Sequence, residues 1–244
     1  MQGKNILVTG ASQGIGNGVA KYLLEKEANV ILVARSEDKL AELAEKYPGR
    51  AFPYPYDLSD LEHIENIFSF CKQKRMKLNG MVHAAGVGCD CPIKMLDMDM
   101  MKELYDINFF SYAMLCKYFA LKKYSFNGAG IVAMSSLASH FCDKGMAQYA
   151  SSKAAINAFT KTMAKEMTKR RIRVNAIAPG FVDTELAWKE RESRDDFDEY
   201  LKENQPYGVI PVEQIVYLTE FLLSEKAAYI TGTVIPVSAG TEGV

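Results

Sequence analysis

Short apolar runs alternate with longer amphipathic stretches along the 244 residues of the chain. The apolar runs are rich in Val, Ile and Leu, which is typical of strands buried on both faces of a parallel sheet. They begin with NILVTG at Asn5 and continue with ANVILVAR, AFPYPYDLS, NGMVHAAG, AGIVAMSS, RIRVNAIAPG and TVIPVS. Helices are predicted between them at about 14–27, in SEDKLAELAEKY and SDLEHIENIFSFCKQ, and near 102–122, 149–168 and 213–223. The repeated β-α-β order predicts an α/β fold in one domain, 1–244, with a doubly wound parallel sheet covered by helices on both faces.

The segment 183–208 interrupts this alternation directly after a predicted strand. It is dense in charge and contains the only tryptophan, Trp188. Ligands of parallel sheets bind outside the carboxyl ends of the strands. We therefore predict a substrate lid here, the alternative being an exposed helical excursion without a role in catalysis. At the start of the second predicted helix, Ser36 is placed to act as a cap.

Composition and charge exclude several classes of protein. Hydrophobic residues make up 48% of the chain, charged residues 24%, and the net charge is −1. No global basic field points to nucleic acid, and the basic run at 165–173 lies where cations complement a helix C-terminus. No apolar stretch approaches the roughly 20 residues that span a bilayer, and the N-terminus lacks the features of a signal peptide. A cytoplasmic protein that binds neither membrane nor nucleic acid is expected.

The five cysteines are expected to be reduced thiols, because an odd number without a secretion signal does not indicate a disulfide framework. Cys89 and Cys91 are spaced one residue too closely for a zinc knuckle, and no second Cys/His pair follows them. No metal site is predicted.

A glycine cluster, Thr9-Gly10-Ala11-Ser12-Gln13-Gly14-Ile15-Gly16, follows the first predicted strand. Its glycines let the backbone turn sharply and approach a phosphate, to which a helix N-terminus offers N–H groups and the positive end of a dipole. This position between the first strand and first helix of a β-α-β unit predicts that the loop binds a phosphate.

Tyr149 stands four residues before Lys153 in QYASSK, so both side chains lie on one face of the predicted helix. Taken alone, this pair is compatible with one tyrosine packed inward and one lysine in water. Beside a reacting carbonyl, however, the phenol can donate a proton and the ammonium can lower its pKa from about 10.

The spacing Gly-x-x-x-Gly-x-Gly resembles that of the short-chain dehydrogenase/reductase family, and the other markers of that family follow in order. They are Asp57 in YDLS, Ala85-Gly86 in HAAG, Asn108 in INFF, Ser136 in AMSSLAS, Tyr149 with Lys153, and Pro179-Gly180 with Thr184 in APGFVDT. The resemblance covers the whole chain and implies a Rossmann-type fold. It is greatest to the 3-oxoacyl-acyl-carrier-protein reductase and carbonyl reductase branch.

The resemblance also implies the roles of the catalytic residues. Tyr149 is expected to be the general acid in reduction and the general base in oxidation. Lys153 tunes it and holds the nicotinamide ribose, Ser136 binds the substrate oxygen, and Asn108 continues a proton path through water to Lys153. Ser135, the neighbour of Ser136, is disfavoured by its spacing.

The coenzyme is predicted to be NADP(H), with NAD(H) as the alternative. An acid about 20 residues past the glycines is typical of NAD-binding proteins. Here Arg35 and Ser36 stand at the end of the second strand, and Arg35 suits a 2′-phosphate. Gln13 argues mildly against this preference, because many NADP-using relatives carry Arg or Lys there. The expected coenzyme contacts are Gly10, Ser12, Gln13, Gly14, Ile15, Gly16, Arg35, Ser36, Asp57, Leu58, Ala85, Gly86, Tyr149, Lys153, Pro179, Gly180, Val182 and Thr184.

Three features depart from the family's pattern or remain open. His83-Ala84 stand where two asparagines are common, so the hydrogen bonds that organise this turn must come from elsewhere. Val237-Ser238-Ala239-Gly240 replaces a frequent Val-Asp-Gly-Gly, which bears on subunit contacts. The methionines between Met95 and Met101 are more typical of core or interface packing than of a substrate surface. By analogy the protein is expected to be a homotetramer or homodimer.

The predicted activity is the NADP(H)-dependent interconversion of a ketone and a secondary alcohol, with a 3-oxoacyl group on acyl-carrier protein as one candidate substrate. The predicted lid contains Lys189, Arg191, Arg194 and Lys202 but more acids than bases, which argues against an acidic carrier protein. A reductase of a sugar or glycan precursor is the alternative within the family. From a different class, a dinucleotide-binding sensor or scaffold without catalysis is disfavoured because both Tyr149 and Lys153 are present.

Overall fold

The computed structural model, which describes residues 1–88, 90–192 and 197–241, contains seven strands in one parallel sheet. The strands are β1 Asn5–Thr9, β2 Asn29–Ala34, β3 Ala51–Pro55, β4 Leu78–His83, β5 Ser125–Met134, β6 Arg173–Pro179 and β7 Val234–Val237. Their order across the sheet is β3-β2-β1-β4-β5-β6-β7. The predicted parallel α/β sheet is confirmed.

Helices cover both faces of this sheet. They are α1 Gly14–Glu25, α2 Glu37–Lys46, α3 Glu65–Gln73, α4 Met98–Tyr105, α5 Ser111–Phe119, α6 Ala147–Glu166, α7 Glu185–Glu192, α8 Phe197–Asn204 and α9 Val212–Leu223. Successive side chains of a strand point to opposite faces, so β1 contributes to two separate cores. Ile6 and Val8 pack in the core that contains residues of α1, α2 and α9, whereas Leu7 packs in the core that contains residues of α3, α5 and α6.

The crevice for a ligand is set by the position of β1 between β2 and β4. Thr9 is the register partner of Val33 on one side and of His83 on the other. The connections after β1 and β4 leave the sheet on either side of this point, where doubly wound sheets bind their ligands. The glycine loop and the turn at 83–86 therefore meet at one edge.

Three local predictions were wrong. The helix predicted near 102–122 begins at Met98 and is interrupted by a π-helical turn, Asp106–Phe110, before α5. The third helix begins only at Glu65, because Asp57 and Asp60 accept hydrogen bonds within the turns that precede it. Ser36 does occupy the N-cap position of α2, but its side chain makes no capping hydrogen bond.

The basic run at 165–173 does not form a uniformly exposed charged surface. Arg173 is buried and donates hydrogen bonds to the carbonyl oxygens of Leu222 and Leu223, the last residues of α9. Arg170 donates to the carbonyl oxygens of Ala120 and Ser125. These two arginines therefore satisfy backbone carbonyl groups within the fold. Within the described ranges, no helix is both long enough and apolar enough to cross a bilayer.

Candidate active site

The loop between β1 and α1 passes so close to the turn after β4 that Gly10 has no room for a side chain. Gly10 has a φ of 68°, and a Cβ atom there would lie 2.8 Å from the amide nitrogen of Ala85. A Cβ atom on Gly16 would collide with the carbonyl oxygen of Gly10. Gln13 makes no side-chain capping hydrogen bond at the start of α1, and the first turn contains no acidic residue. The first amide groups of α1 are therefore available to an anion, and this cradle fits a pyrophosphate.

Thr9 supplies the hydrogen bonds that organise the turn after β4. Its buried hydroxyl oxygen accepts from the backbone N–H groups of Ala84 and Ala85, both at 3.2 Å, and lies 3.1 Å from Nδ1 of His83. Burial, with a smaller effect of the Lys153 ammonium, lowers the pKa of His83 to about 3, so the ring is neutral. Because Oγ of Thr9 already accepts two hydrogen bonds, its own hydrogen can be donated to Nδ1 in the tautomer of His83 that carries its proton on Nε2. Thr9 therefore supplies the hydrogen bonds of the turn that begins at His83, where two asparagines are common in the family. This role of Thr9 was missed in the sequence.

Replacing Thr9 with valine is expected to lower the free energy of unfolding by about 2 kcal/mol, because it leaves two backbone N–H groups without their acceptor. Urea denaturation measures this loss. Thr9→Ser, which keeps the hydroxyl group, is the matched control and should retain most of the stability. Equal losses in the two variants would show that the methyl group of Thr9, and not its hydroxyl, matters.

Asn108 lies buried in the π-helical turn and holds the loop that follows Gly86. Its Oδ1 accepts from the backbone N–H of Val87 at 2.8 Å. Its Nδ2 donates to the carbonyl oxygen of Val87 at 3.0 Å and to Oγ of Ser152 at 3.1 Å. This amide therefore ties the loop to α6. The proton path from Asn108 through water stays a prediction, and it would have to use the backbone, because the side chain is already engaged.

Lys153 is buried beneath the crevice, with 4% of its surface exposed. Its Nζ donates a hydrogen bond of 3.0 Å to the carbonyl oxygen of Met134, the last residue of β5. Burial lowers the pKa of Lys153 to about 8, so the side chain remains mostly protonated at pH 7. A Cβ atom on Gly86 would lie 3.1 Å from this ammonium and 3.3 Å from Oδ1 of Asn108. The glycine therefore leaves an opening beside a buried positive charge.

Tyr149 and Ser136 flank this charge. Tyr149 is half-buried on α6, and Nζ of Lys153 lies 5.6 Å from the centre of its ring. Ser136 comes two residues after Met134, and its Oγ accepts from the backbone N–H of Ala138 at 3.1 Å. Because this bond uses the oxygen as an acceptor, the hydroxyl hydrogen can be donated to a substrate. Ser135 is buried and donates to the carbonyl oxygen of Lys153, so Ser136 is the better placed of the two serines.

Two residues behind Ser136 were missed in the sequence. Asn157 donates from Nδ2 to Oγ of Ser139 at 2.8 Å, and Ser139 donates to the carbonyl oxygen of Ser136 at 2.6 Å. This chain of hydrogen bonds fixes the backbone of Ser136 relative to α6. The position of Asn157, one helical turn after Lys153, was the only indication in the sequence.

The residues predicted to bind adenosine lie together at the ends of β2 and β3. The two strand ends are joined by a hydrogen bond from the Tyr56 amide to the carbonyl oxygen of Ala34, and the glycine loop reaches β2 through Ala11. Arg35 is exposed and makes no ion pair within the part of the chain that is described. Asp57 is exposed and accepts from the amide and hydroxyl groups of Ser59, and Leu58 is buried.

The residues predicted to face the nicotinamide connect the sheet to the glycine loop. Pro179 ends β6, and the amide of Gly180 donates to the carbonyl oxygen of Val237 at 3.0 Å. Val182 forms an isolated parallel bridge with Ile210. The methyl group of Thr184 would lie 3.4 Å from a Cβ atom on Gly14.

The described part of the predicted lid contains α7 and α8, each of which contacts a different loop. Leu186 of α7 would lie 3.3 Å from a Cβ atom on Gly88, beyond the β4 turn. On α8, the buried Phe197 packs edge-on against Phe181, and the hydroxyl of Tyr200 bonds to Oδ2 of Asp143 at 2.5 Å. Asp143 belongs to the loop between Ser136 and Tyr149. Arg194 of the lid lies outside the described residues.

Two further expectations concern metals and methionines. Among the described residues, no three His, Cys, Asp or Glu side chains are grouped so as to hold a metal ion, and Cys89 lies outside those residues. Met95, Met98 and Met100 are 65%, 72% and 47% exposed. Packing in the core of the chain is therefore wrong for these three residues, and packing in a subunit interface stays a prediction.

Comparisons with known proteins find relatives over almost the whole chain. Residues 10–242 match the family model described as enoyl-(acyl carrier protein) reductase. A 3-oxoacyl-(acyl-carrier-protein) reductase of Thermotoga maritima is 30% identical over 98% of both chains. An uncharacterized oxidoreductase of Saccharomyces cerevisiae is 37% identical over 78% of this chain and 75% of its own. The solved structure of a 4-hydroxyisoleucine dehydrogenase complexed with NADH is 30% identical, covers 99% of both chains and superposes with a TM-score of 0.91.

Proposed function

Because the chain belongs to the short-chain dehydrogenase/reductase family, we propose that it interconverts a ketone and a secondary alcohol with NADP(H) as the coenzyme. The observation that carries the proposal is the buried ammonium of Lys153 beside the phenol of Tyr149. A charge buried at this depth lowers stability, so its presence in a crevice beside a proton donor indicates a role in catalysis.

The crevice fits a nicotinamide dinucleotide. The free amide groups at the start of α1 would hold the pyrophosphate, and Gly86 leaves room for a ribose beside Lys153. The stretch from Pro179 to Thr184 would border the nicotinamide. When bound, the coenzyme supplies the hydride for reduction or accepts it in oxidation.

The chain's own residues manage the proton and the substrate oxygen. Ser136 donates a hydrogen bond to the carbonyl oxygen and so directs it towards Tyr149. As the oxygen becomes an alkoxide, Tyr149 donates its phenolic proton to it. The ammonium of Lys153 stabilises the phenolate that remains. In the oxidative direction the same phenolate removes the proton from the alcohol.

Arg35→Ala is expected to weaken NADPH binding by about tenfold while changing NADH binding little, because one charge-assisted contact to the 2′-phosphate is lost. Titration of the purified protein with each coenzyme, followed by fluorescence transfer from Trp188 and the tyrosines, measures both dissociation constants. Lys26→Ala, which removes an exposed cation at the far end of α1, is the control.

The same titrations decide between the two coenzymes. Tighter binding of NADPH that is lost in Arg35→Ala supports the proposal. Equal or tighter binding of NADH by the unchanged protein would contradict it and favour NAD-linked oxidation of an alcohol. The 4-hydroxyisoleucine dehydrogenase in complex with NADH shows that this alternative occurs on a closely similar fold.

The substrate proposed here is a small ketone or alcohol rather than a group carried on an acidic protein. Arg191 of the lid forms an ion pair with Asp198 at 3.2 Å and lies over the ring of Trp188. This basic group of the predicted lid is therefore already paired with an acid, which disfavours recognition of an acidic carrier. A sugar or glycan precursor remains the alternative substrate, and the homo-oligomer stays a prediction.

A further inference from the structure

A cavity of about 290 Å³ opens between α1 and α2, directly beside the glycine loop. Ser12 and Gln13 form the wall on the side of the loop. The opposite wall carries lysine side chains from α2, among them Lys39 and Lys46, and Glu185 of α7 closes one end. The start of the lid therefore borders the same space as the phosphate-binding loop.

The lysines of this cavity differ in how firmly they are paired. Nζ of Lys46 lies 2.7 Å from Oε1 of Glu42, and this hydrogen bond raises the pKa of Lys46. Lys21 also faces Glu42, whose pKa is lowered first by Lys46 and more weakly by Lys21. Among the described residues, Lys39 instead pairs with Glu185 alone, whose Oε1 lies 3.9 Å from its Nζ. This distance exceeds that of a hydrogen bond, and both side chains are about half exposed, so the pair holds Lys39 only weakly.

Lys39 lies where a second cation for the coenzyme is needed. A 2′-phosphate carries nearly two negative charges, and Arg35 at the end of β2 supplies one positive charge. Gln13 contributes none from the glycine loop. Lys39, four residues after Arg35, lines the same cavity as Gln13. The hydroxyl of Ser36, which makes no capping hydrogen bond, lies at the start of the same helix.

We propose that Lys39 is a specificity-determining residue shared between the lid and the 2′-phosphate of the coenzyme. Glu185 pairs with its ammonium when no phosphate is present and competes with the phosphate when NADP(H) binds. The inference rests on the proposed use of NADP(H). It adds that a carboxylate of the lid opposes the phosphorylated coenzyme, so the charge of Glu185 reduces the preference that Lys39 creates. Thr184, the residue before Glu185, lies against Gly14. Lys39 therefore exchanges Glu185 for the phosphate at the point where the lid joins the glycine loop.

The test measures dissociation constants by calorimetry for NADPH and NADH, and for the fragments adenosine 2′,5′-bisphosphate and AMP, which lack the nicotinamide. Lys39→Gln is expected to weaken NADPH and the bisphosphate by about tenfold and to leave NADH and AMP nearly unchanged. Glu185→Gln is expected to tighten NADPH by about threefold, and this gain should shrink when Lys39→Gln is also present. Lys46→Gln, on the same helix and the same cavity, is the matched control and should change none of the four constants.

Three results would overturn the inference. They are an equal weakening of all four ligands by Lys39→Gln, unchanged NADPH binding in Lys39→Gln, and an equal effect of Lys46→Gln. Wild-type protein that does not prefer NADPH would overturn the proposed coenzyme and this inference together. Wild-type protein whose preference for NADPH survives Lys39→Gln would overturn the inference alone.

Discussion

Tyr149→Phe is expected to lower the rate of carbonyl reduction by about a thousandfold, because the ring keeps its packing but loses the proton it donates. The binding of NADPH should remain close to that of the unchanged protein. Single-turnover oxidation of bound NADPH by a ketone measures the rate, and titration in the absence of ketone measures the binding.

Tyr229→Phe is the control for this experiment. Tyr229 is 98% exposed, so this variant shows the effect of replacing a tyrosine with phenylalanine on the surface. A Tyr149→Phe variant that reduces its ketone at the normal rate would exclude Tyr149 as the general acid. A variant that fails only because it no longer binds NADPH would assign Tyr149 to coenzyme binding instead.

Lys153→Met is expected to abolish most activity and yet to raise the free energy of unfolding at pH 7 by about 2 kcal/mol. Burial lowers the pKa of Lys153 from 10.5 to about 8. The folded protein is therefore destabilised by about 3 kcal/mol wherever the side chain is charged in both states, at 1.36 kcal/mol per pKa unit. The variant also loses the hydrogen bond to Met134, which reduces the expected gain in stability by about 1 kcal/mol.

The difference in stability between Lys153→Met and the unchanged protein is expected to depend on pH. Between pH 8 and pH 10.5 the unfolded chain binds the proton that the folded chain has released, so the stability contributed by this group rises with pH. The advantage of Lys153→Met should therefore be largest at pH 7 and disappear by about pH 10.5. Denaturation at both pH values measures it, with Lys161→Met, an exposed position on the same helix, as control. A variant less stable than wild type at pH 7 would contradict the buried charge.

The sheet could be predicted from the sequence because its central strands, such as β1, β2 and β6, are buried on both faces and are mostly apolar. Helix boundaries could be predicted less well where a tertiary contact overrides the local pattern. Nothing in the periodicity of 102–122 indicates that Asn108 turns its amide to Val87 within a π-helical turn. Capping by Ser36 was similarly a local expectation that its surroundings do not fulfil.

The candidate site was predictable to the extent that its residues are adjacent in sequence. The glycine loop and the pair Tyr149 and Lys153 lie within single elements, so spacing alone brings their members together. The role of Thr9 depends on β1 pairing with β4, and the pair of Lys39 with Glu185 joins residues far apart in the chain. Burial of Lys153, which gives the side chain its lowered pKa, also depends on the completed fold.

The parallel bridge between Val182 and Ile210 brings the two ends of the intervening stretch together. The amide of Asp183 also donates to the carbonyl oxygen of Ile210, so the chain leaves and rejoins the sheet at one point. Residues 183–204 can accordingly vary in length and sequence, whereas Gln205, which is buried and bonded to the backbone of Phe181, and Tyr207, whose amide donates to the carbonyl oxygen of Ala239, must be kept to hold the returning chain. Evolution can retain one hydride-transfer centre while it replaces this excursion, and protein engineers can graft one from another enzyme at the same two positions.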